Sequence, residues 1–170
     1  MFPQKPVADR PGANTPDPPP ADPQVICRLL SDILGRNVTS KKVAPYPFVS
    51  PTRLVAAYMA ESVVVSICVF DVAFAAHSGA ALALMPVGIA AESVKAGKCA
   101  SGLLENFAEI LNICRQAFQR QASYVDPPQL YGTPKEVPQP IAAVLSKPKS
   151  RVDMDVTIPG YGTGRFSVVS

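Results

Sequence analysis

The sequence predicts an α+β domain with a largely antiparallel sheet on which one long and two shorter helices pack. Three observations carry this. Stretches rich in Val, Ile and Phe are bounded by turn residues, as half-buried strands are. Two segments repeat their apolar residues at helical spacing. The order helix, strands, helix, helix, strands segregates the two kinds of element, the pattern of an α+β fold rather than an alternating α/β one.

The chain opens with residues 1–23, which hold eight of its 19 prolines and almost no large apolar side chains. Such a segment buries too little surface to offset the entropy of ordering it, so a disordered or polyproline-like tail is expected. Residues 24–170 are then expected to form a single domain. Val25, Ile26, Leu29, Leu30, Ile33 and Leu34 recur at helical spacing, with Gly35 placed as a C-cap. Pro45, Pro47 and Pro51 mark an extended linker. Strands are expected over 53–60 and 62–75, then a turn at 76–79 and a third strand over 80–85. Pro86 suits the first turn of a short helix to about Ala96, because its missing N–H is not needed there, and Gly97 ends it. A long helix follows over about 99–121. Asp126, Pro127 and Pro128 break it into an extended stretch at 129–131. Two further strands are expected at 141–146 and 152–158, joined by a polar turn at 147–150. A glycine-rich loop over 159–165 and a short edge strand at 166–169 close the chain.

Composition excludes several classes of function. Hydrophobic residues make up 48 % and charged residues 17 %, with a net charge of +3. No stretch approaches the roughly 18 uninterrupted apolar residues of a membrane span. The longest candidate, 62–86, is broken by Asp71, His77, Ser78 and Gly79. The first residues lack the apolar centre of a signal peptide, so a cytoplasmic protein without a membrane span is expected. The basic clusters Lys41-Lys42 and 147–151 read as loop edges, and nothing in the charge pattern demands nucleic acid. Cys27, Cys68, Cys99 and Cys114 show no C-x-x-C spacing, and the chain has one histidine, so buried free thiols are expected rather than zinc ligands. His77 reads as a turn residue, since the nucleophile elbow that a Ser–His hydrolase requires is missing from the sequence. Gly160, Gly162 and Gly164 lack the following helix and lysine of a phosphate loop. Glu92 is expected to be solvated.

The long helix carries the functional argument. At about 100° per residue, with Glu105 at zero, Glu109 falls near 40°, Asn112 near 340° and Gln116 near 20°. Leu103, Leu104, Phe107, Ile110, Leu111, Cys114 and Phe118 occupy the opposite side. On geometry alone this is the polar face of an amphipathic helix. Asn112 is the unusual member, because a short amide competes for backbone hydrogen bonds and is poor inside a helix.

The stretch Leu104-Glu-Asn-Phe-Ala-Glu109-Ile-Leu-Asn112-Ile resembles the Glu-x-x-Asn helix of the CheX/CheC/FliY group of chemotaxis phosphatases. Other pieces fall in the order found in CheX-like domains: Asp-Ile-Leu-Gly at 32–35, Ser-Gly-Ala-Ala-Leu-Ala-Leu at 78–84, Ala-Glu-Ser-Val at 91–94 and Tyr-Val-Asp-Pro-Pro-Gln-Leu-Tyr-Gly at 124–132. The resemblance implies a CheC-like fold and hydrolysis of the phospho-aspartate of a CheY-like receiver domain. By that resemblance Asn112 orients the attacking water and Glu109 pairs with the receiver's lysine. Mg2+ then belongs to the partner, and the chain needs no cofactor of its own. Glu105 stands where the family often has Ser or Asp, and with Gln116 it is assigned to partner contacts. A single such motif is CheX-like, since CheC-type domains carry two. A homodimer formed through the sheets is a further implication. The alternative is a non-catalytic receiver-binding or flagellar scaffold module of the same fold.

Overall fold

The computed structural model describes residues 22–48, 50, 52–119 and 124–170. The expected tail lies outside these residues, apart from its last two positions. Those begin helix α1 (Pro23–Leu34): the Asp22 side chain accepts from the Gln24 N–H, and Pro23 occupies the first turn. Gly35, in the left-handed region, caps the other end as expected.

Six strands form one antiparallel sheet: β1 (Thr39–Lys42), β2 (Arg53–Ala60), β3 (Val63–Asp71), β4 (Gln129–Tyr131), β5 (Arg151–Ile158) and β6 (Gly162–Val169). Their spatial order is β1-β5-β6-β3-β2-β4. The remaining helices are α2 (Val72–Leu82), α3 (Val87–Ala96), α4 (Ser101–Cys114) and α5 (Gln139–Ser146). The α+β class and the antiparallel sheet agree with the expectation, while the described residues hold five helices where three were expected.

Both extra helices replace expected strands. Residues 72–82 continue from β3 as α2, so the strand ending at 75, the turn at 76–79 and the strand at 80–85 are all corrected. Asp71 makes the break: its Oδ1 accepts from the Phe74 N–H at 2.8 Å and caps the helix. Nearly every α2 residue is buried, so its sequence lacks the polar stripe that marks a surface helix. Its alanines are the strongest helix formers available. Residues 141–146 belong to α5, with Pro140 in the first turn.

The last strand is also corrected. Residues 162–165 are not loop, and β6 lies between β5 and β3 rather than at an edge. Its glycines are there for contact: a Cβ at Gly164 would overlap the Phe74 backbone, and one at Gly162 the His77 ring. Lys41 and Lys42 lie in β1, not in a loop.

Alternation along the strands makes two cores. On one side Leu54, Ala56, Tyr58, Cys68, Phe70, Met154, Phe166 and Val168 face α1, α2 and α4. On the other, Val55, Ala57, Ile67, Val69 and Val169 are covered by Ile141 of α5 and by Phe48. Beside this smaller core, Arg151 grips Asp153 through two bonds of 2.7 Å. The Ser167 hydroxyl lies 2.7 Å from both the Asp153 carboxylate and the Tyr46 hydroxyl.

Candidate functional site

Helix α4 owes its position to three contacts that fix it along its length. Phe107 packs edge-on against Phe70 and Phe74, with ring centroids 4.7 and 5.7 Å away. Near the start of α4, Gly79 of α2 comes so close that a Cβ there would overlap the Leu103 carbonyl oxygen. Asn106 Nδ2 then donates to the Gly79 carbonyl at 3.2 Å, tying the two helices together. Near its end, the fully buried Tyr58 of β2 donates its hydroxyl proton to the Leu111 carbonyl at 2.9 Å. That carbonyl, in the last turn of α4, also accepts from the Arg115 N–H, so the Tyr58 hydroxyl is its second donor. The residue after Leu111 is Asn112.

With the apolar side of α4 held in this way, its opposite side faces outward. Glu105, Glu109 and Asn112 are all exposed, with Glu109 and Asn112 one turn apart as the spacing predicts. No described residue hydrogen-bonds or ion-pairs with these three side chains. Gln116 is exposed as well, but α4 ends at Cys114 and tightens into a 3-10 turn, Arg115–Phe118. The long helix is therefore shorter than the expected 99–121, and positions 120 and 121 lie outside the described residues. The tighter turn advances each residue by about 120° rather than 100°, and Gln116 stays exposed within it. Phe118 stays in the core, its ring 4.4 Å from that of Tyr58.

Among the described residues, no cysteine or histidine set up as a nucleophile or base accompanies this face. All four cysteines are buried and free. Burial pushes the Cys99 thiol up to about 11 and Cys114 up to about 12, and raises Cys27 and Cys68 as well. These thiols stay protonated at neutral pH and are poor nucleophiles. His77 is not in a turn but in the middle of buried α2, where burial lowers its pKa while Asp71 opposes the shift. It points toward the start of β6 and away from service as a base. Glu92 is exposed, as expected. No three metal-ligating side chains converge among the described residues. No described helix is long and apolar enough to cross a membrane. What remains on α4 is an amide and two carboxylates on a rigid support, which can orient a water and pair with a cation. Two residues that position this face, Tyr58 and Asn106, escape sequence reasoning. Tyr58 reads as an ordinary strand residue, while Asn106 falls near 100° on the wheel, at the border of the polar face.

No protein-family model matches the sequence, and no curated protein matches it. Solved structures do. A chain of the FliM–SpeE complex from H. pylori matches with a TM-score of 0.54 and 8% identity, covering 86% of this chain and 80% of that one. A chain of the CheX–CheY–BeF3–Mg2+ complex from Borrelia burgdorferi matches with a TM-score of 0.45 and 12% identity, over 86% and 92% of the two chains. Thermotoga maritima FliY gives a TM-score of 0.41 and 14% identity, over 85% and 81%. The likeness to the chain of the FliM–SpeE complex is one of fold: the sheet and its helices are arranged in the same way.

Proposed function

We propose that the chain is a phosphatase for the phospho-aspartate of a CheY-like receiver domain, with Asn112 and Glu109 as the working pair. The observation that carries this reading is the exposed Glu109–Asn112 pair, one turn apart on α4 and free of partners among the described residues. An exposed polar pair left unsatisfied on a helix pinned at Gly79 and Tyr58 is preorganised for a partner.

The chemistry asks little of such a pair. An acyl phosphate is already reactive, so its hydrolysis gains most from a water held in line and from positive charge on the phosphoryl oxygens. The Asn112 amide enters the receiver's site, accepting from and donating to the attacking water without titrating. The Glu109 carboxylate pairs with the receiver's lysine beside the phosphoryl group and holds the two proteins in register. Mg2+ is supplied by the receiver and neutralises the phosphoryl oxygens. Water's oxygen forms the new bond to phosphorus, the aspartate oxygen leaves, and the receiver's carboxylate is restored.

A receiver-binding scaffold of the same fold is the second reading, favoured by Glu105. This third group places another carboxylate on the same face, exposed like the others, and it would repel a phosphoryl group. Following phosphate loss from a phosphorylated cognate receiver separates the two. Faster decay with the wild-type chain, lost in Asn112→Ala and weakened in Glu109→Ala, supports the phosphatase. Decay equal to that of the receiver alone, with binding retained, makes the chain a scaffold.

A further inference from the structure

The turn before α3 and the outer side of that helix carry an apolar stripe that the core does not use. Val87, Ala91 and Val94 of α3 follow at intervals of four and three residues and share one side, and Leu84 stands just before the helix. All four are exposed, Leu84 by 75% and Val87 by 48%. They include three of the five large hydrophobic residues that are exposed among the described residues. The inner side of α3 is furnished separately, by Ile89, Ala90 and Ser93.

Leu84 is held in place rather than left loose. Its φ of 52° lies in the left-handed region, which costs a leucine conformational energy. The Leu84 N–H donates to the Ala81 carbonyl at 3.3 Å, and the Met85 N–H to the Ala80 carbonyl at 2.9 Å. On the other side, Tyr161 donates its hydroxyl proton to the Met85 carbonyl at 2.9 Å. The fold therefore keeps a large apolar side chain in water on a strained, tethered backbone. Apolar side chains presented rigidly lose little freedom on binding, the property of an interface anchor.

The turn that carries Leu84 meets α4 at Met85. Asn106 Nδ2 lies 3.9 Å from Met85 Sδ, next to Leu84. Glu109 is one turn from Asn106, and Glu105 is its neighbour in sequence. We infer that Leu84, Val87 and Val94 form the apolar part of the surface that docks the receiver domain, continuous with the Glu105–Glu109–Asn112 face. This rests on the function proposed above and adds where the partner is held. Charge selects the occupant: carboxylates without a partner among the described residues, beside exposed apolar side chains, fit a receiver face with an apolar patch rimmed by lysine or arginine.

The left-handed backbone at Leu84 supplies an unusual test, because glycine accepts that conformation without strain. In the full chain, Leu84→Gly is expected to melt at the same temperature as wild type or higher. With a cognate CheY-like receiver phosphorylated by acetyl phosphate in Mg2+, its KM is expected to rise about tenfold, with kcat at saturating receiver kept. Val87→Ser is expected to raise KM in the same direction. An unchanged KM in both variants overturns the docking surface, and if Asn112→Ala is inactive in the same assay, the phosphatase reading survives that failure. A dimer in sedimentation that Leu84→Gly dissociates also overturns it, in favour of a second copy. A wild-type chain that neither binds nor accelerates the receiver overturns both.

Discussion

Asn112 is a poor choice for the stability of α4, and its neighbours do nothing to satisfy it. A residue that the helix tolerates without using is where a functional role is most economically placed. His77 shows the opposite case, a polar group absorbed by the fold. Its Nδ1 is buried without a partner, and its ring lies against Gly162. Because burial lowers its pKa in the folded chain, the unfolded chain binds this proton more readily. The associated stability is therefore fully present above the unfolded value of about 6.5 and is lost as pH falls through the lowered folded value. Since the chain has one histidine, urea unfolding of wild type and His77→Gln at pH 7.5 and pH 5.5 isolates this effect. Wild type is expected to lose more stability than the variant on acidification, and equal losses contradict the assignment.

At the scale of elements, the α2–α4 contact decides whether the site exists. Gly79→Ala places a methyl group into the Leu103 carbonyl, and the helices must separate, at a cost of about 3 kcal/mol. Tyr58→Phe removes the bond to the Leu111 carbonyl and is expected to cost about 1 kcal/mol in chemical unfolding. That variant should retain the fold while loosening the last turn of α4, so receiver dephosphorylation should fall further than receiver binding. This helix was legible in the sequence because its apolar and polar sides are cleanly opposed. Helix α2 was not legible: buried all round, it offers no amphipathic period, and Val72 and Phe74 read as a continuation of β3. Nor was β6, whose glycines serve close packing against α2 yet look like a loop when read alone. The candidate residues on α4 come from spacing and resemblance, but Tyr58 and Gly79 hold the helix through contacts far apart in sequence, which periodicity does not reveal.

Across the whole molecule, one face of the sheet is covered by α1, α2 and α4. Among the described residues the other is covered only where α5 and Phe48 lie over β2, β3 and the end of β6, and the two cores differ in character. The larger one is aromatic and aliphatic and holds Cys68, Cys99 and Cys114, while Cys27 of α1 is buried apart from it. The native chain is therefore expected to react with a thiol reagent far more slowly than the unfolded chain, which should titrate four groups. Fast reaction of any cysteine in the native chain contradicts the packing described. The smaller core is bordered by the Arg151–Asp153–Ser167–Tyr46 network. Asp153→Ala leaves the half-buried Arg151 without its carboxylate and is expected to destabilise the chain by about 3 kcal/mol, measured by denaturant unfolding. The packing of α4 on the larger core gives it a rigid base, so the outer face of one helix can act as a fixed template for a partner.

The most direct test of the account is the single-turnover decay of a phosphorylated CheY-like receiver in Mg2+ with an excess of chain, comparing wild type with Asn112→Asp and Asn112→Ala. Asn112→Asp keeps the shape of the side chain but replaces the donor half of the amide with negative charge. The account predicts rapid decay with wild type, and decay at the rate of the receiver alone with both variants, each still folded. Equal rates for wild type and both variants would contradict it, because the chemistry would then not run through the Asn112 amide.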